Sequence, residues 1–509
     1  MLIDFRTAAA GTEIEADLCV IGAGAAGITI AREFAGGSIR VCLVESGGFD
    51  FEENTQALCR GEAVGTRPPR ELETSRLRYF GGTTNHWAGC CAPLNEIDIS
   101  GRPWVPMSGW PITRRDLATF YENAQRVCEL GPFVYDDSLW QGLGIEPIAF
   151  LPEKLTTRFF QVSPPTVFGE VYRPALENAA NVILLLNANV IEIVATETLQ
   201  QIRHVEIKSL DGTTGRVKAK YFVVACGGIE NARLLLASNS IAKTGLGNQH
   251  DVVGRYFIDH IFAFCGLVAT EKPVQWDRLG LDETDHNPYR NPLSPMFGDR
   301  DVPVRPFLCL SDRLQEREQV LDAGARVEPF DWQGDPPVAG FERKGEPQLR
   351  HFVALIAQSE QAPNPDSRVM LIEEKDALGA PKVRLDWRLS EIDKHTLRVM
   401  TRTFATEFGR LGLGRVRLNN WLMTSDQDWS QALGRDGSPL AGTSHHMGAT
   451  RMSEDPRQGV VDRDCRVHGI DNIYLAGSSV FPASGFANPT LTIVALALRL
   501  SNHLNERLT

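Results

Sequence analysis

Two places in the chain carry side chains suited to proton chemistry. Residues 442–452, GTSHHMGATRM, set His445 beside His446 and close with Arg451. A neutral imidazole titrates near working pH and can take a proton from a hydroxyl. Neighbouring histidines can equally belong to a metal site or to no site at all. A metal fits poorly, because no carboxylate or cysteine stands at usable spacing and adjacent side chains on a strand point to opposite faces. No metal is therefore expected. Near the C-terminus, FANPT offers Asn488 ahead of Pro489. That pair suits a helix N-cap and first turn. A helix N-terminus also favours negative charge beside it, and the Asn488 amide could then point at a substrate oxygen. Local sequence leaves both readings open.

A third stretch binds rather than reacts. IGAGAAG places Gly22, Gly24 and Gly27 in the G-x-G-x-x-G order, after the apolar run ADLCVIG and before the helical pattern ITIAREFAG. Glycines allow the tight turn, bring backbone close to a pyrophosphate and let the helix pack on the sheet. The helix then presents unpaired N–H groups and a partial positive charge to the phosphates. Glu45 ends the next apolar strand, IRVCLVES, about where an acid binds an adenosine ribose. A dinucleotide site is expected. The fingerprint does not separate NAD from FAD. The chain leaves this unit and returns at its far end with YLAGSSVFP and another strand-to-helix step. A grip from both ends, over an extended length, suits a resident FAD better than an exchangeable NAD.

These pieces need a scaffold, and the pattern supplies one. NVILLL, NANVIEIVA and the strands on either side of Asp211-Gly212 read as sheet, followed by Tyr221–Cys226, a Gly-Gly turn and a helix. NIYLAGSSV reads as a late buried strand and PTLTIVALALRLSNHL as a terminal helix. RVMLIEE and KVRLDWRL alternate like antiparallel strands, and Ser390 is placed to cap the helix that follows. Residues 266–345, rich in proline and charge, read as lid-like loops over a cleft. The expected fold is α/β (α+β overall). A Rossmann-like dinucleotide domain, discontinuous over 1–100, 160–265 and 440–509, sits with a second domain at 101–159 and 266–439. That second domain carries an antiparallel sheet covered by helices.

Bulk properties agree with a two-domain enzyme. At 509 residues the chain exceeds one ordinary core. A formal charge of −12 speaks against nucleic acid or an anionic membrane as partner. The 10 cysteines, with one adjacent pair at Cys90-Cys91, read as free thiols of a reducing compartment. LTIVALALRL is too short to span a bilayer, and the N-terminal stretch shows no secretory pattern. A cytoplasmic location is expected.

Taken together, VIGAGAAGITIAREF, GGTTNHWAG, VVACGGIENARLLLAS, SHHMGATRM and IYLAGSSVFPASGFANPTLTIVALAL resemble the glucose-methanol-choline flavoprotein oxidoreductases. The likeness is greatest to the pyranose oxidase side and its bacterial sugar- and glycoside-oxidising relatives. It covers both ends and the middle strand-turn-helix, and is weak through 266–345. The resemblance implies FAD and an alcohol oxidation in which hydride moves from the carbinol carbon to flavin N5 while a base takes the hydroxyl proton. It assigns the base to His445 and the second catalytic position to Asn488, with His446 in a packing role and Arg451 as a structural donor. It puts Gly82, Asn85, His86, Val190, Gly477, Ser478, Pro489 and Thr490 beside the cofactor. In pyranose oxidase the histidine matching His86 is bonded to the flavin. Ala88 stands here where threonine is common there, so a non-covalent FAD is expected and a bond at His86 stays open.

The reading this supports is oxidation of a secondary hydroxyl of a sugar or glycoside to a ketone, at the 2- or 3-position of a pyranose. Oxidation of a primary alcohol to an aldehyde is a rival, as is a nicotinamide-dependent dehydrogenase. Oxygen or another acceptor would complete the cycle. Oligomeric state is not legible.

Overall fold

The computed structural model describes residues 1–66, 71–144, 146–270, 296–297, 300–329, 351–434 and 437–509. The glycine-rich stretch folds as its pattern dictates. Strand Leu18–Ile21 and strand Val41–Val44 are apolar at every position and buried throughout, as parallel strands covered on both faces must be. They form the middle of a six-stranded sheet, in the order Leu2–Asp4, Val182–Leu186, Val41–Val44, Leu18–Ile21, Tyr221–Val224, Ile473–Leu475. Every pairing in it is parallel. Helix Ala25–Phe34 buries Ile28, Ile30 and Phe34, and packs beside the terminal helix Thr490–Leu508. The two ends of the chain therefore meet on one sheet.

A second sheet has seven strands and is antiparallel throughout. Its order is Arg415–Leu418, Ile261–Thr270, His351–Ser359, Ala323–Pro329, Val304–Leu310, Leu155–Val162, Cys90–Cys91. Helix Glu391–Arg410 lies against it. That helix starts as its sequence suggests, with Ser390 and Asp393 capping each other's backbone N–H groups. Arg368–Lys375 and Pro381–Trp387 pair antiparallel, and Gly61–Gly65 adds a parallel strand to them. Asp211-Gly212 turns between Ile202–Lys208 and Thr214–Lys218.

The loop reading of 266–345 needs correction in part. Val304–Leu310, helix Asp312–Glu318 and Ala323–Pro329 are regular structure at the heart of the second sheet. Val304–Leu310 is buried at all 7 positions, so it lacks the alternation that marks a half-exposed strand. The rest of the lid expectation, at 271–295, 298–299 and 330–345, lies outside the described residues. All 10 cysteines are unpaired. Among the described residues no helix is long and apolar enough to cross a membrane.

Candidate functional site

A cavity of about 980 Å³ runs between the two sheets. At one end lies the glycine turn. Gly22 takes φ +103°, and a Cβ there would stand 2.7 Å from the Ala225 carbonyl oxygen of the neighbouring strand. Gly24 opens helix Ala25–Phe34 with no side-chain cap, and a Cβ built on it meets nothing within 4 Å. Bare backbone N–H groups thus face open space, as a pyrophosphate requires. Gly27 does not line the cavity; a Cβ there would fall 1.8 Å from the Gly22 carbonyl oxygen, so it serves the helix-on-turn contact. Glu45 lines the cavity beside Val190, and its carboxylate accepts from the Ala23 N–H at 2.8 Å and the Gly47 N–H at 3.0 Å. Oε1 also accepts from the Ser46 hydroxyl at 3.1 Å, and Oε2, with the Ala23 N–H alone, keeps a lone pair for a ribose hydroxyl.

The GGTTNHWAG loop lies across this turn. Gly81 N–H donates to the Ala23 carbonyl at 2.8 Å, and a Cβ on Gly82 would stand 3.1 Å from Gly24 Cα. Gly82 and His86 line the cavity. Asn85 does not: its amide donates to the Phe80 carbonyl at 3.0 Å, inside its own loop. Trp87 Nε1 donates to the Thr166 carbonyl at 2.9 Å and packs edge-on to Phe168. From the other side come Gly477, Ser478, Pro489 and Thr490, where the terminal helix begins facing the same space. This glycine cradle between two helix N-termini fits FAD, and Glu45 and Val190 line the same cavity.

His445 and Asn488 both line this cavity. The His445 ring meets His260, Nδ1 to Nδ1 at 2.9 Å, with the rings nearly perpendicular. Its backbone N–H donates to Asp259 Oδ1 at 2.9 Å, and the same carboxylate takes the Ser444 N–H at 3.1 Å and the Thr443 hydroxyl at 2.7 Å. Ser444 is held at φ +69°, a strained conformation for a residue with a side chain, which costs about 1–3 kcal/mol. Asp259 holds it there. Burial and the adjacent His260 push the His445 imidazole well below its ordinary value, so it stays neutral, with a lone pair able to accept a proton, at pH 7. His446 lines the cavity too, but its ring packs against Phe257, its carbonyl accepts from the Ser478 hydroxyl at 2.6 Å, and burial lowers its imidazole to about 3. Arg451 lies over the Tyr256 ring and donates to the Met107 carbonyl, apart from the cavity lining.

Asn488 does not cap the terminal helix, which starts at Thr490 with Pro489 at the cap position. Its Oδ1 accepts instead from Gln358 Nε2 at 2.9 Å, while the same Gln358 amide donates to the Phe486 carbonyl at 2.6 Å. Gln358 therefore fixes the flip of Asn488 and leaves the Asn488 N–H groups free to donate elsewhere. Phe262, Arg305, Phe307 and Arg326 line the cavity from the same face of the seven-stranded sheet as Gln358.

His260, Asp259 and Gln358 escaped the sequence reading. The signal for the first two was present in YFIDHIFAF, where two polar residues interrupt an apolar run. Both are buried, and a buried polar residue needs a partner. Among the described residues, no three His, Cys, Asp or Glu side chains gather as a metal would require.

This geometry has likenesses among known proteins. Residues 363–497 match the model of the GMC oxidoreductases. The chain is 28% identical to 6'''-hydroxyparomomycin C oxidase of Streptomyces lividus, over 97% of this chain and 92% of that one. It is 25% identical to C-glycoside 3-oxidase of Microbacterium trichothecenolyticum, over 84% and 75%. The fold matches the crystal structure of pyridoxine 4-oxidase from Mesorbium loti with a TM-score of 0.56 at 16% identity, over 96% of this chain and 99% of that one. Residues 363–497 thus match the C-terminal domain of the GMC oxidoreductases, a family of FAD-binding enzymes that oxidise alcohol groups.

Proposed function

We propose that this chain oxidises a secondary hydroxyl of a sugar or glycoside to a ketone, with His445 as the base. The observation that carries the reading is that His445 and Asn488 line one cavity, each with its rearward atom already engaged, by His260 and by Gln358. FAD, when bound, accepts the carbinol hydrogen with its electron pair. His445 Nε2 takes the hydroxyl proton, and the Asn488 amide donates to the oxygen as negative charge grows on it. The C–H and O–H bonds of the alcohol are replaced by a carbonyl. Gly22, Gly24, Glu45, Gly82, His86, Val190, Gly477, Ser478, Pro489 and Thr490 would hold the cofactor, without a covalent bond at His86.

The carbohydrate assignment draws support from the sheet face over the cavity. Phe262 and Phe307 can cover the C–H faces of a sugar ring, Arg305 and Arg326 bring guanidinium groups to the same wall, and Gln358, its two N–H groups spent on Phe486 and Asn488, can accept from a hydroxyl through Oε1. The division of labour follows the two sheets: cofactor on the parallel one, substrate beneath the antiparallel one. Anaerobic mixing with monosaccharides, O- and C-glycosides and simple alcohols tests the reading. A carbohydrate should bleach the flavin, and carbon NMR of the product should show a ring ketone. Bleaching by simple primary alcohols alone, or an aldehyde product, would overturn it.

A further inference from the structure

We infer that His260 is a positioning residue, one that fixes the His445 imidazole in the tautomer with Nε2 unprotonated. The inference rests on His445 being the base, and it explains how that base is kept ready. The proton count begins at Gly485. Its carbonyl oxygen can only accept, and it lies 2.8 Å from His260 Nε2, so that nitrogen carries a hydrogen. A neutral His260 then has a lone pair on Nδ1. His445 Nδ1 is 2.9 Å away and must donate to it. A neutral His445 with its proton on Nδ1 has its lone pair on Nε2, the nitrogen available to the cavity its residue lines.

The opposite arrangement needs a hydrogen on both nitrogens of His260, that is, an imidazolium. The surroundings oppose it. His260 has no exposed surface, and its burial holds the imidazole at about 4. Glu360 is an acid whose field reaches the ring, but it is engaged bidentately by Arg102 at 2.6 and 2.7 Å. The Asp259 carboxylate spends its oxygens on Thr443, Ser444 and His445 backbone or hydroxyl donors. Among the described residues no carboxylate hydrogen bond to His260 supports a second proton.

Adjacent residues thus do complementary work. Asp259 fixes the backbone of His445 and His260 fixes its ring. Bridges Ile258↔Met447 and Ile261↔Gly442 hold the two segments antiparallel on either side. The relay ends at Gly485, 3 residues before Asn488, so base and amide donor are tied to the same loop.

Two substitutions of similar polarity separate the roles. In His260→Asn the side-chain oxygen falls near the position of Nδ1, keeping an acceptor for His445 and losing the Gly485 contact. In His260→Gln the amide nitrogen falls near Nε2, keeping the Gly485 contact and losing the acceptor. The measurement is the limiting rate of anaerobic flavin bleaching, with substrate affinity and bound FAD followed in parallel. The Asn variant should stay within about 10-fold of the parent, and the Gln variant should fall by about 100- to 10,000-fold, as a wrong tautomer does. Substrate affinity should change little in both. A Gln variant as fast as the Asn variant would overturn the inference. His445→Ala, run alongside, tests the reading beneath it: full bleaching there would remove His445 as base, whereas its loss together with an unaffected Gln variant would reject His260 alone.

Discussion

His445 is useful because it is uncharged. Its pKa sits well below 6.5 through burial and the neighbouring His260, so the base form persists as pH falls and only protonation at low pH removes it. The limiting rate of flavin reduction should be flat from about pH 8 to about pH 6.5, with an acid limb below the ordinary imidazole value. A limb centred at or above 6.5 contradicts this. Asn488→Ala removes a donor to the developing negative charge and should slow reduction by about 100- to 1,000-fold while FAD stays bound. His446 gives the contrast. His446→Gln should keep the rate within about 10-fold and lower the melting temperature, since the ring packs on Phe257. That His445 and Asn488 share a cavity could be anticipated because short local patterns single them out. His260 was not, because its contact with His445 spans 185 positions and leaves no local spacing.

The glycine turn is an element whose tolerance can be stated in ångströms. Gly22→Ala would place a Cβ 2.7 Å from the Ala225 carbonyl, at a φ of +103° that side chains resist. Neither the strand nor the turn can yield cheaply, so the variant should purify with little flavin, read from the ratio of flavin to protein absorbance. The facing loop predicts a milder result. His86→Ala should still purify yellow, and acid precipitation of the parent protein should release its flavin into solution; flavin that stays in the pellet would contradict a non-covalent site. The strand-turn-helix pattern betrays this element because glycine spacing and apolar runs are local. Val304–Leu310 betrays nothing, since burial on both faces erases its alternation and Pro306 argues against a central strand.

At the scale of the molecule, a parallel sheet closed by both chain ends meets an antiparallel sheet whose inner face is aromatic and cationic in part. The cavity between them brings together glycine-rich pieces near residues 22, 82 and 477 and the histidine and amide pieces near 260, 445 and 488, which lie far apart in sequence. The first sheet was readable from its hydrophobic runs. The second was only partly so, because its partners are long-range and its strands are broken by charge and proline. The central claim is that a carbohydrate hydroxyl gives its proton to His445 as the flavin is reduced. Its most direct test is the limiting rate of anaerobic flavin reduction by one carbohydrate substrate, in the parent holoenzyme and in His445→Ala with equal FAD content. The rate should fall by about 100- to 10,000-fold in the variant with little change in substrate affinity, and equal rates in the two proteins would contradict the account.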